Sequence, residues 1–139
     1  MHQGPFYANW NEDGSATVLA RLTARTGSGT ATGEAGEGNW LKIVDVSTIT
    51  YNVYDLDGTT PTTAISSGSL TVASVVIDTP VTANTLWTFD TVGYNFLHDL
   101  AANTFPDAHR YRLEYTVTLS GGAVVHGIFE GPAREVWSS

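Results

Sequence analysis

The chain of 139 residues has no cysteine, which excludes disulfides and thiolate metal sites. It has one lysine, Lys42, and six basic residues in all against 14 acids, for a net charge of −8. Nucleic-acid binding needs clustered Lys and Arg to displace phosphate counterions, so no nucleic-acid partner is expected. Charge of either sign is scarce, at 14%. No stretch approaches the ~20 apolar residues of a membrane-spanning helix, so no membrane partner is expected. Apolar residues nowhere recur at helical spacing over three turns. The opening residues MHQGPF lack the basic region and apolar run of a signal peptide, so the chain is expected to be made in the cytoplasm and not exported by its own N-terminus.

What is present suits strands. Twenty threonines, many valines and dispersed aromatics favour a pleated, half-buried surface. Strand candidates lie at residues 6–10, 17–23, 43–54, 70–77, 87–89, 94–100, 111–119 and 124–129. Asp13-Gly14 and Asp57-Gly58 read as turns, since both residue types tolerate positive φ. The apolar phase of 70–77 slips near Ala73 and Ser74, as a β-bulge would produce.

The hairpin near the end is the clearest piece. Tyr111, Leu113, Tyr115, Val117 and Leu119 alternate with Arg112, Glu114, Thr116 and Thr118, which marks one buried and one wet face. Gly121-Gly122 supplies the turn. A two-residue loop would send Val124, His126 and Ile128 inward, and a three-residue loop would send Val125, Gly127 and Phe129 inward. The second is preferred because it buries Phe129 and leaves His126 wet.

About seven or eight short strands separated by turns specify an all-β sandwich in one domain over residues 1–139. An immunoglobulin-like sandwich is preferred, with Trp87 or Tyr94 as its central aromatic, and a jelly roll is the alternative. Residues 26–38, TGSGTATGEAGEG, hold five glycines and no large apolar side chain. They cannot supply core and read as a flexible loop.

Reactive constellations are missing. Gly27, Gly29 and Gly33 miss the dinucleotide spacing by one residue, and no Gly-Lys-Ser/Thr follows. Asp55-Leu-Asp57-Gly58 opens like a calcium loop, but Thr59, Thr60 and Pro61 replace the further oxygen ligands. Asp45 and Asp78 could join it only from elsewhere in space. His2, His98, His109 and His126 show no metal-ligand spacing, although His98 and His126 could meet across strands. There is no Gly-x-Ser-x-Gly elbow. Lys42, the sole candidate donor for an isopeptide bond, is expected to reach water along its stem. No catalytic, cofactor-binding or metal residue is expected, and no enzyme. Trp10, Trp40 and Trp137 lie beside turns or a terminus, where they could stack on sugar or anchor a protein interface. With Phe6 and Tyr7 they form the candidate interface.

Two stretches carry a resemblance, DVSTITYNVYD at 45–55 and WTFDTVGYNF at 87–96, with YRLEY at 111–115 as a late aromatic strand. Their order and spacing resemble structural β-sandwich proteins of tailed bacteriophages and prophages. The layout is similar to the immunoglobulin-like N-terminal part of baseplate upper proteins. The glycine-rich 26–38 segment and the lack of a C-terminal extension depart from that pattern, so a receptor-binding region is not expected. The resemblance implies a non-enzymatic virion protein, in head decoration or as a tail or baseplate adaptor. Its partners would be copies of itself and other virion proteins. A carbohydrate-binding module is the second expectation, and a small hydrolase the third.

Overall fold

The computed structural model describes residues 2–7, 10–11, 14–24, 39–83, 85, 87 and 93–135. The strands, in chain order, are β1 (His2–Tyr7), β2 (Trp10–Asn11), β3 (Ala16–Ala20), β4 (Thr23–Ala24), β5 (Asn39–Trp40), β6 (Val46–Asp55), β7 (Ala64–Leu70), β8 (Val76–Val81), β9 (Tyr94–Leu100), β10 (Arg110–Leu119) and β11 (Val124–Arg134). A 3-10 turn at Ile43–Asp45 precedes β6, and one helical turn, α1 (Val72–Val75), links β7 to β8. Among the described residues no helix is long and apolar enough to cross a membrane.

The architecture is an all-β sandwich. One main sheet has the order β1-β11-β10-β6-β7, with β2 also on β11, the other has the order β3-β9-β8, and β4 and β5 form a separate two-stranded pair. Pairing is antiparallel except for β1 and β2, which run parallel to β11. Taken in chain order, β3, β9 and β8 occupy the B, E and D places of an immunoglobulin sandwich. Strands β6, β10 and β11 occupy C, F and G, and β7 takes the extra place that variable-type domains add beside C.

Sheet packing follows the alternation. Tyr111, Leu113, Tyr115, Val117 and Leu119 of β10 are all buried, as are Ile49 and Val53 of β6 opposite them. Val18, Val76, Phe96 and Leu100 close the core from the second sheet. The Leu119 N–H donates to the Ala123 carbonyl and closes a three-residue loop at 120–122, with Thr118 opposite Val124 and Val117 opposite Val125. Val125 is buried and His126 is exposed, as the preferred register requires.

The structure corrects several local expectations. The phase slip at Ala73 and Ser74 is not a bulge but the helical turn Val72–Val75. Residues 43–45 are a 3-10 turn rather than strand. Trp87 is half-buried and outside any strand, so it is no central plug. Tyr94 is buried and its ring lies 5.5 Å from that of Trp87. A further buried aromatic cluster joins Trp10, Phe105 and Tyr111, with Trp10 stacked on Phe105 at 4.5 Å.

Candidate functional site

A cleft of about 460 Å³ opens between β3 and β11, where the inner faces of the two sheets diverge. Leu19, Ala20 and Leu22 line it from the β3 side, and Val125, Gly127 and Phe129 from the β11 side. Phe96 and Tyr115 form its inner wall, their rings meeting edge-on at 5.1 Å. Gly127 stands opposite Tyr115 in the strand register. A Cβ added there would meet nothing within 4 Å. The missing side chain is therefore one local cause of the space.

Arg21, Thr23, Trp87, Val117 and His126 complete the lining. The Arg21 guanidinium lies 5.5 Å from the Trp40 ring centre and 5.9 Å from that of Trp87, within cation–π range. Its Nε donates to the Gly93 carbonyl at 3.1 Å. That carbonyl is placed by a left-handed backbone, with φ of 99° at Gly93. Asn95 fixes the same end of the cleft. Fully buried, it donates from Nδ2 to the carbonyls of Leu22 and Leu41, both at 2.9 Å.

Behind the inner wall sits a buried polar pair. His98 Nδ1 and the Tyr115 hydroxyl lie 2.7 Å apart, with Tyr51 against both rings. Burial holds the His98 imidazole below its ordinary pKa, with a smaller opposing pull from Asp99. Burial likewise raises the Tyr115 phenol, which stays protonated. His98 and His126 are not brought together as a ligand pair: His98 is held inside, while His126 stands exposed with Nδ1 3.4 Å from Thr116 Oγ1.

A second cluster lies where the chain enters β10. Tyr111 is fully buried, and its hydroxyl donates to the Asp107 carbonyl and accepts from the Asp107 N–H, each at 2.8 Å. This is the tyrosine corner of immunoglobulin-like sandwiches. Beside it, His109 Nδ1 sits 2.9 Å from Asp55 Oδ2. The hydrogen bond to Asp55 raises the His109 pKa despite a smaller opposing desolvation. Asp55, Asp107 and His109 offer ligand atoms within 4.8 Å of one another. The Asp55 carboxylate is already used, however, by His109 and by the Asp57 N–H. Asp57 accepts from the Arg110 N–H, so the Asp55–Gly58 turn serves the corner. Asp45 and Asp78 act elsewhere, accepting from the Lys42 and Ile43 N–H groups.

The candidate interface residues fare differently. Trp10 and Trp40 are each 6% exposed, so neither is presented as a surface anchor. Long-range contacts withdraw them: Trp10 stacks on Phe105, and Trp40 pairs with Thr23 beneath Arg21. Phe6 and Tyr7 lie on β1, in register with Phe129 and Glu130. Trp137, and the glycine-rich 26–38 segment, lie outside the described residues. Sequence reading missed Asn95 and Gly127 as determinants of the cleft. The signal for Gly127 was its place on the inward parity of β11; nothing local marked Asn95. Comparison with family models, with curated proteins and with solved structures returned no match.

Proposed function

We propose that this chain is a non-enzymatic structural subunit of a tailed-bacteriophage particle. It would serve in head decoration or as a tail or baseplate adaptor, packing on copies of itself and on other virion proteins. The observation that carries the self-packing is the outer edge of the larger sheet. Strand β7 ends that sheet and pairs, among the described residues, with β6 alone. It lies within residues 58–77, twenty consecutive positions without an acidic or basic side chain in a chain of net charge −8. Like-charged copies repel least where neither presents a charge. Ser67 and Ser69 are exposed along it, and Ile65 is 45% exposed at a bulge near its start. Of the other edges, β1 contains Pro5 and β8 contains Asp78 and Pro80, which are devices that discourage edge pairing, while β3 is uncharged but spans only five residues.

Light scattering and negative-stain imaging of the full chain test the reading. Concentration-dependent oligomers, reduced to monomers by the paired substitution Ser67→Lys and Ser69→Lys, are expected. A wild-type chain that stays monomeric at high concentration, with or without candidate virion proteins, would overturn it. The carbohydrate-binding alternative has less support, because Trp10 and Trp40 are buried and the cleft is largely apolar. Tryptophan quenching across a glycan panel is its test.

A further inference from the structure

We infer that β7 pairs antiparallel with β7 of a second copy about a two-fold axis at Gly68, so that the larger sheets of two chains run on as one. The inference rests on the self-packing proposed for this edge and adds its register, its symmetry and its stopping point.

The pairing stretch has two built-in ends. Ser66 to Leu70 match Val53 to Ile49 of β6 one for one, whereas Ile65 is skipped between Ser66 and Ala64. A bulge of this kind bends the strand and interrupts regular pairing. At the other end the chain passes through Thr71 into the helical turn Val72–Val75. Residues 66–70 are therefore left to receive a partner strand, and Gly68 is the middle one.

Backbone geometry decides how a copy can lie there. Along an edge strand, alternate residues turn both N–H and C=O outward, and in an antiparallel pair outward residues stand opposite outward residues. Two copies of one strand satisfy this only when some residue faces itself across the axis. With Gly68 on the axis, all of residues 66–70 are used: Ser66 faces Leu70 of the second copy, and Ser67 faces its Ser69. An axis at Ser67 or Ser69 runs the regular stretch of one copy into the bulge or the helical turn of the other. The stretch is thus complementary to itself in one register.

Side chains and charge permit the approach. Ser67 and Ser69 are exposed, and opposed serines can share hydroxyl hydrogen bonds. Gly68 brings no side chain to the axis, because a Cβ there would lie 2.9 Å from the Tyr51 ring. Residues 58–77 carry no acidic or basic side chain, so two chains of net charge −8 meet there without opposed like charges. A two-fold contact uses β7 of both copies and closes at two chains instead of growing into a filament. A contact one short strand long belongs with the small, transient interfaces, below about 1,200 Å², so the dimer is expected to be weak and concentration-dependent.

The chain has no cysteine, so single thiols at positions 67 and 69 report the register. The full-length variants Ser67→Cys and Ser69→Cys are oxidised separately and as an equimolar mixture, at the highest soluble concentration. Directly opposed Cα atoms lie about 4.5–5.5 Å apart, inside the disulfide range of about 4.4–6.8 Å. Diagonal neighbours lie about 7–8 Å apart, outside it. The mixture is expected to form linked dimers at least about tenfold faster than either variant alone, with position 67 of one chain joined to position 69 of the other by peptide mass. Linkage within either variant alone that matches or exceeds the mixture would overturn the inference. Wild-type oligomers in light scattering, with no linkage in the mixture, would overturn the two-fold pairing and leave self-packing standing. Absence of both oligomers and linkage would overturn the two readings together.

Discussion

The carboxamide of Asn95 on β9 pairs with both backbone polar groups of Leu22, the residue that leaves the β3 side of the cleft. Asn95 Oδ1 accepts from the Leu22 N–H at 2.6 Å, and Nδ2 donates to the Leu22 carbonyl at 2.9 Å. The same Nδ2 also reaches the Leu41 carbonyl, and the Leu41 N–H donates to the Leu22 carbonyl, so one buried side chain ties the two residues together. Asn95→Leu keeps comparable size but strands the Leu22 N–H and the Leu41 carbonyl at about 1–3 kcal/mol each, while the Leu22 carbonyl keeps the Leu41 N–H. A loss of about 3 kcal/mol is expected by denaturant unfolding.

Tyr111→Phe removes a hydroxyl that both donates to and accepts from the Asp107 backbone. The ring and its contact with Phe105 remain. A destabilisation of about 1–3 kcal/mol is expected from the two unpaired backbone groups, read as a lower urea midpoint with an unchanged slope.

Gly93→Ala tests backbone strain at the mouth of the cleft. Glycine is required there twice: its φ is 99°, and an added Cβ would come to 2.4 Å from the Val81 carbonyl oxygen. Alanine at a positive φ costs more than about 1 kcal/mol, and the clash adds to it. A lower melting temperature is expected, and an unchanged one would contradict this account of the turn.

Two histidines give stability opposite dependences on pH. His98 has its folded pKa lowered by burial, so the unfolded chain binds the proton more readily. Its contribution is intact above the unfolded value of about 6.5 and is lost as pH falls through that value towards the lower folded one. His109 has its folded pKa raised by its hydrogen bond to Asp55. Its contribution is present below about 6.5 and is lost as pH rises through the higher folded value. His98→Gln should flatten the acid side of the stability curve relative to wild type, and His109→Gln the neutral-to-alkaline side. Denaturant midpoints measured from pH 5 to 9 check both, and parallel curves for all three proteins would refute the assignment.

Much of the fold is legible in particular residues. The nine-residue alternation from Tyr111 to Leu119 specifies β10 and its buried face, whereas the hairpin register was left between two alternatives and is decided by the pairing of Thr118 with Val124. Strand β7 was not legible because Ser66, Ser67, Gly68 and Ser69 carry almost no apolar contrast. Its place is set by pairing with β6, where Gly68 leaves room for the Tyr51 ring; a Cβ there would lie 2.9 Å from it. Trp10 and Trp40 were misplaced for a similar reason: residues beside turns look exposed until a distant Phe105 or Arg21 covers them.

By itself the sequence determined an all-β sandwich without disulfides, because strand periodicity, turn residues and the absence of cysteine are local properties of the chain. It also determined the charge of −8. Only the tertiary structure decided that Tyr111 and Asp107 lock a corner, that Asn95 holds Leu22 and Leu41, and that an apolar cleft lies between β3 and β11. Each of these joins groups whose fit depends on how two sheets settle against each other. Side-chain spacing along one strand carries the period of that strand, but not the distance to the facing sheet or the space that a single glycine leaves between them.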